Sequence, residues 1–311
     1  MRGVGWVVCF AVGCGGAGAA GGPRQAPPHA SAPATRDDGT RAPRVEATAD
    51  DPCRVLDVAA ALACSALDGA APANGWDEEI RDASAAVSAA RQRRAAARRG
   101  GGADFTMAAR ELGPDEQRVL NAGRHLLCAA SQPWADSAVA YAVARAFYEA
   151  NHFREAAALF DAIVRDLPRG EHAEYAANLA LDSVNIQHTQ ARDAQRDPSV
   201  CFETLRTWTG EYATTFGCDA AAAPAEICET LARLRCDIVG REAERNVREG
   251  DLALASRLYE SIHTTHCGDR GDEALHNAAE LAERAGDAPR AGRLRQQLRD
   301  AYPQSALVVP P

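Results

Sequence analysis

The chain is 311 residues long and carries 34 basic against 43 acidic side chains, a formal net charge of −9. Every basic residue is Arg. So acidic a balance excludes nucleic acid as a general partner, because neutralising phosphates requires a basic face. Ten cysteines are many for a cytosolic chain and point to an oxidising compartment.

Arg2 and the amino terminus make a short positive region, and Gly3 to Gly13 is an apolar run. The run has the length of a secretory signal core, roughly 7–15 residues, and falls short of the about 20 that a membrane span needs. Ala11-Val12-Gly13-Cys14 resembles a bacterial lipobox, with Ala11 where Leu is usual. The resemblance implies that residues 1–13 are a cleaved signal peptide and that Cys14 is lipidated. It also implies an outer-membrane address, since Gly15 and not Asp follows the cysteine. Diacyl and N-acyl chains together exceed the two hydrophobic signals that stable anchoring takes. The alternative is an ordinary signal peptide with an incidental cysteine. From Cys14 to residue 50 the chain is rich in Gly, Ala, Pro and Thr and almost devoid of large apolar residues, so it is expected to be a disordered tether.

Setting aside Cys9 and Cys14 leaves eight cysteines, an even number that reads as a disulfide framework. None forms a CxxC, so neither a zinc ribbon nor a thioredoxin-like site is indicated. Residues 51–132 read as an N-terminal helical region. Asp51-Pro52 is a helix-start pair, and one helix is predicted from there to Asp68-Gly69. A second is predicted over Trp76–Arg99, stopped by glycines from Gly100. Its acidic first turn and basic end, Arg91 to Arg99, complement the helix dipole on a solvated face; contact with anionic lipid is the alternative.

Residues 133–311 carry the informative pattern. Ser137 to Pro168 places Val143, Ala144 and Phe147 on a first helix, Asn151 at a turn, and Ala156, Phe160 and Ile163 on a second helix ending at Pro168. The segment resembles a tetratricopeptide repeat, in which two antiparallel helices meet through small residues. Glu171 to Gln187 begins a second unit, and Cys236 to Cys267 is a weaker third with Asn246 where an aromatic is usual. Asp272 to Pro303 is a fourth, keeping Leu275, Ala278, Ala279, Ala282, Gly286, Ala291 and Leu298. The expected fold class is therefore all-α, a tetratricopeptide-type solenoid of helical hairpins. An ordinary Ala-rich helical bundle is the alternative.

A cross-link needs Cα atoms within roughly 7 Å, whereas Cys53 and Cys64 on one continuous helix would lie about 16 Å apart. The same geometry separates Cys228 from Cys236. A hairpin around the turn between Phe216 and Pro224 is expected to pair Cys218 with Cys228 and Cys201 with Cys236.

The resemblance also implies a groove lined by first-helix residues. These are Tyr141, Arg145, Tyr148 and Glu149, then His172, Tyr175 and Asp182, then Glu244 and Arg248. Arg and Tyr are enriched at binding hot spots. No GxSxG, HExxH, Walker loop or GxGxxG after a strand occurs. His263, His266 and Cys267, or His125 with Cys128, hold ligand residue types, but a metal site needs three or four brought together with their second shell, and Cys267 is expected in a disulfide instead. Neither metal nor cofactor is expected, and no catalysis. The expectation is a lipid-anchored binding or assembly module of a bacterial outer membrane, holding a peptide segment or helix of another envelope protein. The rivals are a periplasmic enzyme, such as a cell-wall hydrolase, with the repeats as an accessory, and a structural spacer.

Overall fold

The computed structural model describes residue 51 and residues 53–66, 73–98, 107–129, 137–220, 224–265 and 270–308. All of these belong to one compact unit, Glu46–Pro311. The expected signal peptide 1–13, Cys14, the expected tether over 14–50, Pro52, the expected glycine stop from Gly100, His266 and Cys267 lie outside the described residues. Secondary structure among the described residues is helical, without strands. None of their helices is long and apolar enough to cross a membrane.

A short helix, α1 (Val58–Leu62), precedes five hairpins. These are α2 (Trp76–Arg98) with α3 (Pro114–Ala129), α4 (Ser137–Glu149) with α5 (Phe153–Asp166), and α6 (Ala173–Asp193) with α7 (Ser199–Thr215). Then come α8 (Ala225–Glu249) with α9 (Leu252–Thr264) and α10 (Gly271–Arg284) with α11 (Ala288–Ala301). From α2 through α11 every pair of successive helices packs together. The first helices of the last four hairpins start at Ser137, Ala173, Ala225 and Gly271, so the period is not constant. The expected 34-residue frame fits α4/α5 and α10/α11 and is stretched between them. Pro198 and Pro224 sit at the N-caps of α7 and α8, which sets those helix starts.

Five helix ends close in one way. Asn151, Gln195, Gly217, Gly250 and Gly286 have φ of 64°, 55°, 63°, 87° and 83°. In each case the following N–H reaches back to the carbonyl five residues earlier, as from His152 to Phe147 and from Asp287 to Ala282. This is the Schellman closure, which satisfies terminal carbonyls and reverses the chain. At two of the turns an aspartate then caps the next helix: Asp251 accepts from the Leu254 N–H and Asp287 from the Arg290 N–H.

The hairpins meet on the apolar positions that the repeat pattern picks out. Val143, Ala144, Ala156, Phe160 and Ile163 have no exposed surface, and Phe147 keeps 5%. Gly123 of α3 lies so close to α4 that a Cβ there would run into the Val143 side chain.

The first predicted helix is not continuous. Asp51 accepts from the Cys53 N–H in a local turn, Asp57 caps the one-turn α1, and Ala63 turns left-handed at φ 49°. Two long-range bonds explain the break. Cys64 is cross-linked to Cys128 near the end of α3, and Cys53 to Cys201 at the start of α7. The expected Cys201–Cys236 bridge is therefore not formed. The N-terminal segment reaches the α7 start and takes Cys201, both Cys53 and Cys201 being buried. Cys218 is bonded to Cys228 across the α7–α8 turn, and Cys236 is also in a disulfide.

Candidate binding face on the first helices

Positions 141, 145 and 148 of α4 fall at i, i+4 and i+7, beside the stripe that buries Val143, Ala144 and Phe147. The Tyr148 ring sits edge-on to Phe153 and Phe160, with centroids 5.5 and 6.3 Å away, while its hydroxyl donates to Asp182 of α6. Tyr141 stacks on His172, the residue before α6, at 4.5 Å and 15°. Arg145 lies over the Tyr148 ring at 5.7 Å and pairs with Glu149 one turn on. Tyr175 stands at 68% exposure, far above any other large apolar or aromatic side chain among the described residues.

One participant was not among the expected residues. Arg91 of α2 donates to Glu149 at 3.0 Å, so this carboxylate takes two guanidiniums. In sequence Arg91 is one of a run of arginines, Arg91 to Arg99, expected on a solvated face. Only the packing of α2 on α4 assigns it a partner. Arg110, before α3, anchors the far end of α4 by donating to the Glu149 carbonyl at 3.0 Å and by pairing with the buried Glu116.

Burial dominates the protonation of this cluster. It pushes Asp182 above the usual carboxylate range, against the lowering effect of the Tyr148 hydrogen bond. It pushes Tyr148 well above its ordinary value, an effect the neighbouring Asp182 reinforces. Burial likewise raises Tyr141, opposed by Arg145 and Arg91. The Tyr141 and Tyr148 phenols are therefore neutral at physiological pH.

The contacts gather Tyr141, Arg145, Tyr148, Glu149, His172 and Asp182 into one network, with Tyr175 exposed beside Tyr141. Glu244 and Arg248, both exposed on α8, are not part of that network. Arg145 of this set is already paired within the chain, to Glu149. Of the candidate metal pairs, His125 stacks on Trp76 at 4.0 Å and Cys128 is in a disulfide. His263 meets the Tyr302 hydroxyl at 3.1 Å. Among the described residues no three His, Cys, Asp or Glu side chains come together to hold a metal.

The second helices carry a different load. The 53–66 segment packs on α5 and α3 through α1, and its ends are cross-linked to α3 and α7. Arg154 of α5 holds the segment's Arg54 carbonyl at 2.9 Å. The chain thus straps its own second helices and leaves first-helix side chains such as Tyr175 open. No protein-family model matches the chain, and no curated protein matches it in sequence.

Proposed function

We propose that this chain is a non-catalytic binding or assembly module of the bacterial cell envelope. It is exported, lipid-anchored through Cys14 at the outer membrane, and it holds a segment of another envelope protein on a tetratricopeptide-like face of α4 and α6. One observation carries the reading: the second helices are strapped by the chain itself, whereas Tyr175 projects from the first-helix face beside Tyr141. An exposed aromatic next to a fixed aromatic–guanidinium cluster is the composition of a hot spot.

The test uses the full-length protein in its native envelope, with a photo-crosslinking residue at Tyr175 or, as control, at Val55 of the strap. A discrete protein adduct is expected from position 175 and not from 55, weakened by Arg145→Ala. Tyr148→Ala is a poor probe, because that ring also packs against Phe153 and Phe160. Intact mass of the same membrane-extracted protein should show residues 1–13 lost and acyl chains on Cys14. Absence of any adduct specific to position 175 would favour the spacer; an amino terminus beyond Cys14 would remove the anchor.

A further inference from the structure

A second polar cluster lies on the seam between α6 and α8. Asn185, His188 and Arg192 follow one another at i, i+3 and i+7 along one face of α6. Arg241 of α8 crosses to this face and donates one N–H to the Asn185 side-chain oxygen at 3.2 Å. That partner is neutral, and Arg241 makes no ion pair among the described residues. Among the described residues Arg192 pairs only with the adjacent Asp193, at 3.4 Å, and both are about two-thirds exposed, so that pairing is largely screened. His188, Asn185 and Arg241 are all half-buried. In a chain whose net charge is −9, two guanidiniums and an imidazole meet here with a neutral amide.

We propose that the α6–α8 seam is an oxyanion site, taking a phosphoryl or carboxylate group on Arg241, with His188 as the adjoining ring donor. A guanidinium has five N–H donors, and the bond to Asn185 uses one, leaving donors for the two-point contact that phosphate and carboxylate oxygens accept. Burial, then repulsion from Arg241 of α8 and Arg192 of its own helix, holds His188 below the usual histidine range. The ring is therefore uncharged near neutrality. An arriving anion offsets both guanidiniums and moves His188 upward, so binding takes up a proton and tightens as pH falls. Asp182 of the α4 network lies one turn before Asn185 on α6, but the proposal does not depend on the peptide-binding reading.

The test is an NMR titration of the His188 ring in the folded protein with inorganic phosphate, acetate or chloride at matched ionic strength. Matching matters because screening alone relieves the repulsion. Relative to chloride, phosphate or acetate should raise the His188 pKa by about one unit, the size expected for an opposite charge in contact. A response to phosphate alone assigns a phosphoryl ligand, and a response to acetate admits carboxylates. Arg241→Gln should abolish the response while leaving the helical circular dichroism unchanged. Identical titration in all three salts, or a response that survives Arg241→Gln, would overturn the site.

Discussion

The α4/α5 and α8/α9 hairpins share an architecture and build it from different materials. Between α4 and α5 the interior is filled by Val143, Phe147, Leu159, Phe160 and Ile163. Near the end of α8, next to its turn into α9, and along α9, the buried positions are Ala243, Asn246, Ala255, Ser256 and Ile262. One apolar cluster runs from Cys53 to Ile238 and a second from Leu275 to Leu298, and the buried residues of α9 join neither. Polar bonds take over at that junction. Ser256 donates to the Ala278 carbonyl at 2.8 Å, Arg290 reaches Ser256 at 3.3 Å, and Arg290 also pairs with Glu260. A hairpin array can thus be held by volume or by close approach of small residues. The second leaves less apolar surface between neighbours, so α10 and α11 should open more easily than α3 to α7.

The largest effects should fall on the first core. Opening the buried Cys53–Cys201 bond, whose ends are 148 residues apart, is expected to cost about 5 kcal/mol in the chain-entropy picture. Phe160→Ala should cost about 3–5 kcal/mol, because the ring is fully buried and packs against Tyr141 and Tyr148. Denaturant melts followed segment by segment with hydrogen exchange should show α3 to α7 losing protection in both variants, with α10 and α11 less affected. Equal loss at both ends would mean that the two clusters are one cooperative unit.

The junction should respond more weakly. Ser256→Ala removes two polar contacts but leaves the Ala278 carbonyl in its own helix, so about 1 kcal/mol is expected, read as lost protection in α9 to α11. Asn246→Leu is expected to be neutral or stabilising. Among the described residues its side chain donates only to the Glu242 carbonyl one turn back, and a larger apolar group would extend the first cluster toward the second. A strongly destabilised Asn246→Leu would show that the polar group itself specifies the turn.

The contrast also explains what could be read in advance. The α4/α5 hairpin was legible because its signals are local: apolar residues at helical spacing, Asn151 at the left-handed position and Pro168 just past the end. The binding-face residues of α4 and α6 follow from that register. The strap was not legible, since an Ala-rich run from Val58 satisfies helix propensity and only cross-links to residues 64 and 148 positions away interrupt it. Arg91 with Glu149, 58 residues apart, and Arg241 with Asn185, 56 apart, depend in the same way on which helices become neighbours. Pairing across hairpins is a tertiary property.

The smallest effect is a divergence between the two regions with pH. Asp182 and Asp161, in the first region, are both raised by burial; at Asp161 the Arg165 hydrogen bond opposes the rise. Each therefore contributes stability in full below the ordinary aspartate value of about 3.9, and loses it as pH rises through the elevated folded value. Asp272 of α10 is lowered, chiefly by the hydrogen bond from Ser305. Its contribution is present above the ordinary value and disappears as pH falls through the depressed one. Acidification from neutrality toward pH of about 4 should then relieve α4 to α7 of two strained carboxylates before it touches the Asp272 contact. The pH dependence of amide protection, compared between the native protein and an Asp182→Asn, Asp161→Asn double variant, isolates these groups from the rest of the titration. The native protein should gain protection in α4 to α7 on acidification relative to the variant, with no such difference in α10 and α11. Parallel curves for the two proteins in α4 to α7 would show that these buried carboxylates are matched by their hydroxyl and guanidinium partners, and that the two regions differ in packing alone.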